Sequence, residues 1–133
     1  MQSTTKGRKA AYWITTGLLA AGMLSGGIAQ LLRTPSTTQG IVHLGYPVYL
    51  MTILACWKIL GVAVLLLPRL TLVKEWAYAG FFFLMTGATI SHLASGDRPG
   101  EVTAQLIFVV LIVLSWYLRP ANRRLAAVTN LPD

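Results

Sequence analysis

The stretch Gly45-Tyr46-Pro47-Val48-Tyr49-Leu50-Met51-Thr52-Ile53-Leu54-Ala55-Cys56-Trp57-Lys58-Ile59-Leu60-Gly61-Val62-Ala63-Val64-Leu65-Leu66-Leu67-Pro68 decides how the rest of the chain is read. It is apolar between its two prolines except for one lysine near the middle, and it is long enough to cross a bilayer, which takes ~20 helical residues. An ammonium group at that depth costs ~2.5–3.5 kcal/mol on insertion scales. Lys58 is therefore the residue that a functional reading must explain.

The composition gives the same solvent. Of 133 residues, 55% are hydrophobic and only 11% charged, against about 25% charged in soluble domains. One domain of this size could not hide that much apolar surface from water. The net charge of +7 comes from short basic segments set between the apolar runs. That pattern suits anionic lipid headgroups and gives no reason to expect a nucleic-acid partner. Cys56 is the only cysteine, so neither an internal disulfide nor a dithiol relay is expected.

Outward from the central stretch, three further runs repeat its character. Residues 12–32 form the first, after a basic segment over 1–11. A cleaved signal peptide competes with a retained span here, but the run is longer than a usual signal core. Gly22 and Gly26, four apart with Ala21, Ser25 and Ala29 nearby, make a small face suited to close helix packing. Residues 33–46 read as a loop broken at Pro35, with a short interfacial turn over 39–45, and Pro47 is expected at the first position of the second helix. The second span covers 48–67. Residues 69–75 read as a polar turn, and Glu75 is expected to open the third span, 76–93, at the positive end of its dipole. Residues 95–100 read as a turn containing Asp97. Glu101 then opens the fourth span, 102–118, and a basic tail follows over 119–133.

The expected architecture is an all-α, integral membrane four-helix bundle. Eight of the eleven Lys and Arg residues fall on the side of the termini, two (Arg33 and Arg98) fall opposite, and Lys58 lies between. This bias places both termini in the cytoplasm of a multi-pass inner-membrane protein. Tyr12, Trp13, Trp76, Tyr78, Trp116 and Tyr117 would then mark the cytoplasmic interface, and Tyr46 and Tyr49 the outer one.

The remaining polar residues gather toward the outer side. His43 precedes the second span, His92 closes the third, and Gln30 lies near the end of the first. Gln105 follows Glu101 by one helical turn on the same face. The expected site is an outward pocket with Lys58 at its floor and His43, His92, Glu101, Gln105 and Gln30 around it. Such groups could pass protons or hold a carbonyl-bearing or anionic amphiphile, a quinone among them. No close ligand pair supports a metal site from His43, His92 and Glu101, and phosphate loops and nucleophile elbows are absent. Asp97 reads as a turn residue.

The segments His43-Leu44-Gly45-Tyr46-Pro47, Trp57-Lys58-Ile59-Leu60-Gly61, Lys74-Glu75-Trp76-Ala77-Tyr78-Ala79-Gly80-Phe81, Gly87-Ala88, Ser91-His92-Leu93 and Gly96-Asp97 together resemble the DoxX-like family over roughly residues 10–120. The resemblance implies a small bacterial four-span membrane protein. The family takes its name from a subunit associated with a thiosulfate:quinone oxidoreductase, and some relatives are linked to membrane redox or thiol stress. It implies no catalytic residue. The functional expectation is a redox-associated subunit that binds a quinone or similar amphiphile near Lys58. The alternative is a non-enzymatic carrier or membrane partner protein. The bilayer is the first expected partner, with a homo-oligomer or a larger membrane complex beyond it.

Overall fold

The computed structural model describes residues 5–126. These residues form five α-helices: α1 (Lys6–Leu31), α2 (Pro35–His43), α3 (Leu50–Leu66), α4 (Thr71–Ala94) and α5 (Thr103–Leu118). Two short 3-10 turns, Pro99–Val102 and Ala121–Arg123, complete the path. Three segments, Lys6–Leu31, Thr71–Ala94 and Pro99–Leu118, are long and apolar enough to cross a membrane, and α3 is a shorter apolar helix of 17 residues. Helix α1 packs against α3 and α5, and α4 packs against α5 and α3. The shared core joins Leu19 and Met23 of α1, Val62 and Leu65 of α3, Phe81 and Met85 of α4, and Ile112 of α5.

Several boundaries differ from those read in the sequence. Helix α1 starts at Lys6 rather than Tyr12, because the Thr5 hydroxyl caps it by accepting from the Arg8 amide. The loop expected over 33–46 contains α2: Pro35 does not only break the chain but also starts a new helix at a position that needs no donor. Pro47 instead begins a turn before α3, where its carbonyl accepts from the Leu50 amide at 3.1 Å. Helix α4 starts at Thr71, so Glu75 lies inside the helix and not at its positive end. Glu101 falls in the 3-10 turn ahead of α5.

One end of the molecule is shaped by three helix terminations of a single kind. After α1, α2 and α4 the chain turns left-handed at Arg33, Gly45 and Gly96, with φ of 50°, 82° and 83°. In each case the amides of the left-handed residue and of the residue after it fold back on the helix, as in Tyr46 N to Ile41 O at 3.1 Å and Asp97 N to His92 O at 3.1 Å. These are Schellman terminations, which satisfy carbonyls that a helix end leaves free.

The opposite end is held by cations. Pro68 stops α3, and the last carbonyls of that helix would be unpaired in hydrocarbon. The ammonium of Lys74, which is fully buried, donates to Val64 O at 2.7 Å and to Leu67 O. The Arg123 guanidinium donates to Leu65 O at 2.9 Å and Leu66 O at 3.4 Å. Two side chains thus cover four successive carbonyls at the negative end of the α3 dipole. Glu75 pairs with Arg119 at 2.5 Å and accepts from Trp116 Nε1 at 2.9 Å. Arg119 and Arg123, at the start of the expected basic tail, are therefore packed parts of the fold; residues 127–133 of that tail lie outside the described residues. Of the aromatic residues assigned to this interface, Tyr12 and Tyr78 turn inward, while Trp13, Trp76, Trp116 and Tyr117 stay exposed.

Candidate functional site

The residues of α3 that share a face at intervals of one turn, Leu50, Leu54 and Lys58, run down one wall of a cavity of about 480 Å³. At 1.5 Å per residue, Lys58 sits about 12 Å below Leu50. Opposite it, α4 contributes Leu84, Ala88, Ser91 and His92, and α5 contributes Gln105 and Phe108. Gln30 enters from the end of α1, and Thr37, Gly40 and Ile41 of α2 line the cavity as well. The short helix missed in the sequence is thus a wall of the site.

Lys58 is only 9% exposed, and among the described residues neither a hydrogen bond nor a charge partner holds its ammonium. It reaches this position because α1 offers no side chain to oppose it. A Cβ on Gly26 would lie 3.7 Å from Lys58 Nζ, and one on Gly27 would lie 3.3 Å from Lys58 Cβ. Two more polar groups around the cavity are likewise unsatisfied: the buried Oε1 atoms of Gln30 and Gln105 have no hydrogen-bond partner among the described residues. Buried polar atoms are rarely left so. A carboxamide can turn over to present either its oxygen or its NH2 group, so the two glutamines can serve a ligand as donors or acceptors.

Gly22 and Gly26 of the small face of α1 pack within the fold, while Ala21 and Ser25 stay exposed. The ring of Phe108 covers Gly22 so closely that a Cβ there would overlap it, and Gly26 and Gly27 receive Lys58.

The outer edge of the cavity is tied by Asp97. Its carboxylate accepts from His43 Nε2 at 2.7 Å and from His92 Nδ1 at 2.6 Å. Hydrogen bonds from His92 and His43 hold the Asp97 carboxyl below its ordinary range. Tyr46 and Ser91 add a hydroxyl pair at 2.7 Å. Tyr46 and Asp97 each directly follow the left-handed glycine of a helix end, so the two glycine terminations aim them at each other's helices.

Six residues were expected at this site. Lys58, Gln30, Gln105 and His92 line the cavity; His43 does not, but is joined to His92 through Asp97. Glu101 is exposed and stands outside the cavity, because the 3-10 turn takes it off the α5 face that carries Gln105. Asp97, which reads in the sequence as a turn residue, joins the two histidines in the structure. The signal for it was the spacing His92-Leu93-Ala94-Ser95-Gly96-Asp97, which sets an acid beside a histidine across a Schellman turn. Among the described residues, no group of three His, Cys, Asp or Glu side chains is arranged to hold a metal.

The model of the DoxX-like family matches residues 14–115. No curated protein matches, and no solved structure matches. The match spans most of the chain and takes in α2, α3 and α4 entire.

Proposed function

This chain belongs to the DoxX-like family and is a membrane protein, and from that premise we propose that it is a redox-associated membrane subunit that holds a quinone or a similar amphiphile in the cavity above Lys58. In this reading α1, α3, α4 and α5 all span the inner membrane, with both termini in the cytoplasm and the cavity toward the outer side. The excess of Lys and Arg at the terminal end supports that orientation.

One observation carries the binding reading: Lys58, a buried lysine whose ammonium has no partner among the described residues, lines a cavity of about 480 Å³. An unpaired charge at this depth destabilises the empty protein, and intramembrane ionisable groups mark substrate and ion paths. A carbonyl or anionic oxygen of a ligand would supply the missing partner. Gln30 and Gln105 would fix the orientation of the head, and the apolar walls would take the ring.

Equilibrium binding of a short-chain benzoquinone analogue to the purified full chain tests this. Lys58→Met should weaken binding at least tenfold, or about 1.4 kcal/mol, in a protein that remains folded. Equal affinity of the two proteins rejects the reading.

A further inference from the structure

The most exposed apolar residues of α4 are Trp76, Phe83 and Ile90, at 67%, 70% and 66% exposure. They recur every seven residues and so form one stripe, facing away from the core. Gly87, one turn beyond Phe83, falls on this stripe and is exposed. Yet Phe83 and Gly87 also line the cavity that holds Lys58, and so does the exposed Ala104 of α5. A Cβ at Gly87 would meet nothing within 4 Å. Where α4 and α5 flank the cavity, its wall therefore opens onto the apolar outer face of the molecule. A second groove of about 280 Å³ follows the same seam, lined by Phe82, Val113 and Trp116, and it shares Phe83 with the cavity.

The aqueous end is built differently. Helix α2 lies over it, tied down by the two bonds of Asp97 and by the Tyr46–Ser91 pair. A solute from water meets α2 and these polar ties, whereas a molecule dissolved in the hydrocarbon meets a gap with no side chain at Gly87.

We infer that the ligand of the Lys58 cavity is a tailed amphiphile that enters sideways from the bilayer between α4 and α5. Its polar head reaches Lys58, and its apolar tail leaves past Gly87 and over Phe83 into the seam groove. This deepens the binding reading above and rests on it for the head group, while the side opening stands on geometry alone.

Two measurements on the full chain test it separately. The first needs no ligand. In a Cys56→Ser background, which removes the exposed thiol, Ala88→Cys puts a thiol in the cavity wall. With the protein in phosphatidylcholine vesicles, a long-chain N-alkylmaleimide dissolved in the bilayer should label it faster than a charged, membrane-impermeant maleimide. Adding Gly87→Ala, Gly87→Leu or Gly87→Trp should slow the alkyl reagent stepwise, at least tenfold for Trp. An unchanged rate in a folded Gly87→Trp protein, or faster labelling by the charged reagent, overturns the side opening. If Gly87→Trp does not fold, Ala104→Leu on the facing helix makes the same test. The second measurement compares quinones with and without a polyprenyl tail. Gly87→Trp should weaken binding of the tailed compound at least tenfold and leave the tailless one within twofold. Equal effects on both overturn the tail path, whereas an effect of Lys58→Met on neither rejects the pocket itself.

Discussion

Gly22 of α1 lies directly beneath the ring of Phe108 on α5, and four residues later Gly26 leaves only ordinary contact distance to Lys58 of α3, at 3.7 Å from a built Cβ. The two glycines look alike in the sequence, but their neighbours make them unequal. An alanine at Gly22 must push an aromatic ring that also lines the cavity. Overpacking of this kind costs about 1–3 kcal/mol. Gly22→Ala should therefore lower the thermal midpoint in detergent by several degrees, whereas Gly26→Ala should change it little. Equal effects at both positions would contradict the packing described.

Lys58 should behave as a functional group and not as a structural one. Burying it unpaired costs ~2.5–3.5 kcal/mol on insertion scales, so Lys58→Met is expected to leave the midpoint unchanged or raise it while ligand binding is lost. A stability loss above about 1 kcal/mol would mean that the ammonium holds the fold together.

The α3 terminus makes the opposite prediction for a lysine. Lys74→Met removes the donor to the part-buried Val64 O and Leu67 O, and a carbonyl left unsatisfied costs up to about 1–3 kcal/mol, the upper end applying to a fully buried one. Thermal unfolding should show a large loss, and Arg123→Ala, which frees Leu65 O and Leu66 O, a similar one. Comparing Lys58→Met with Lys74→Met thus separates a cavity lysine from a capping lysine in one assay.

Asp97 sets a pH limit. Its carboxyl is held below the ordinary value by His92 and His43, so it binds protons more weakly folded than unfolded. The stabilisation is full above the unfolded pKa, about 3.9, and is lost as pH falls through the lower folded value. Wild type should be more stable than Asp97→Asn at pH 6, and the difference should shrink as unfolding is measured at successively lower pH below about 4. A difference that stays constant to pH 2 would remove the clasp from the account.

Arg33 is the exposed left-handed residue of the α1 termination, where glycine is the usual choice. The left-handed conformation costs an L-residue roughly 1–2 kcal/mol, part of which glycine returns through its freer unfolded chain. Arg33→Gly should raise the midpoint by a few degrees. A fall would show that the Arg33 side chain holds the turn.

The sequence by itself determined the solvent, the helical class and the odd lysine. Apolar runs of about twenty residues have few other uses, and a single charge inside one of them is conspicuous. It also brought Gln30, Gln105 and His92 to the neighbourhood of Lys58, since residues near the same ends of adjacent helices converge once the runs are antiparallel. Tertiary structure alone decided the rest. Helix α2 is too short for its pattern to outweigh Pro35 and the small polar residues beside it. Asp97 acquires its partners only because two left-handed glycines turn neighbouring chain ends toward one another. Lys74 and Arg123 read as interfacial charges until Pro68 leaves four carbonyls for them to satisfy. A side opening at Gly87 could not be read at all: absence of a side chain becomes a doorway only when a neighbouring helix leaves the space behind it empty, and no local pattern encodes that relation between helices.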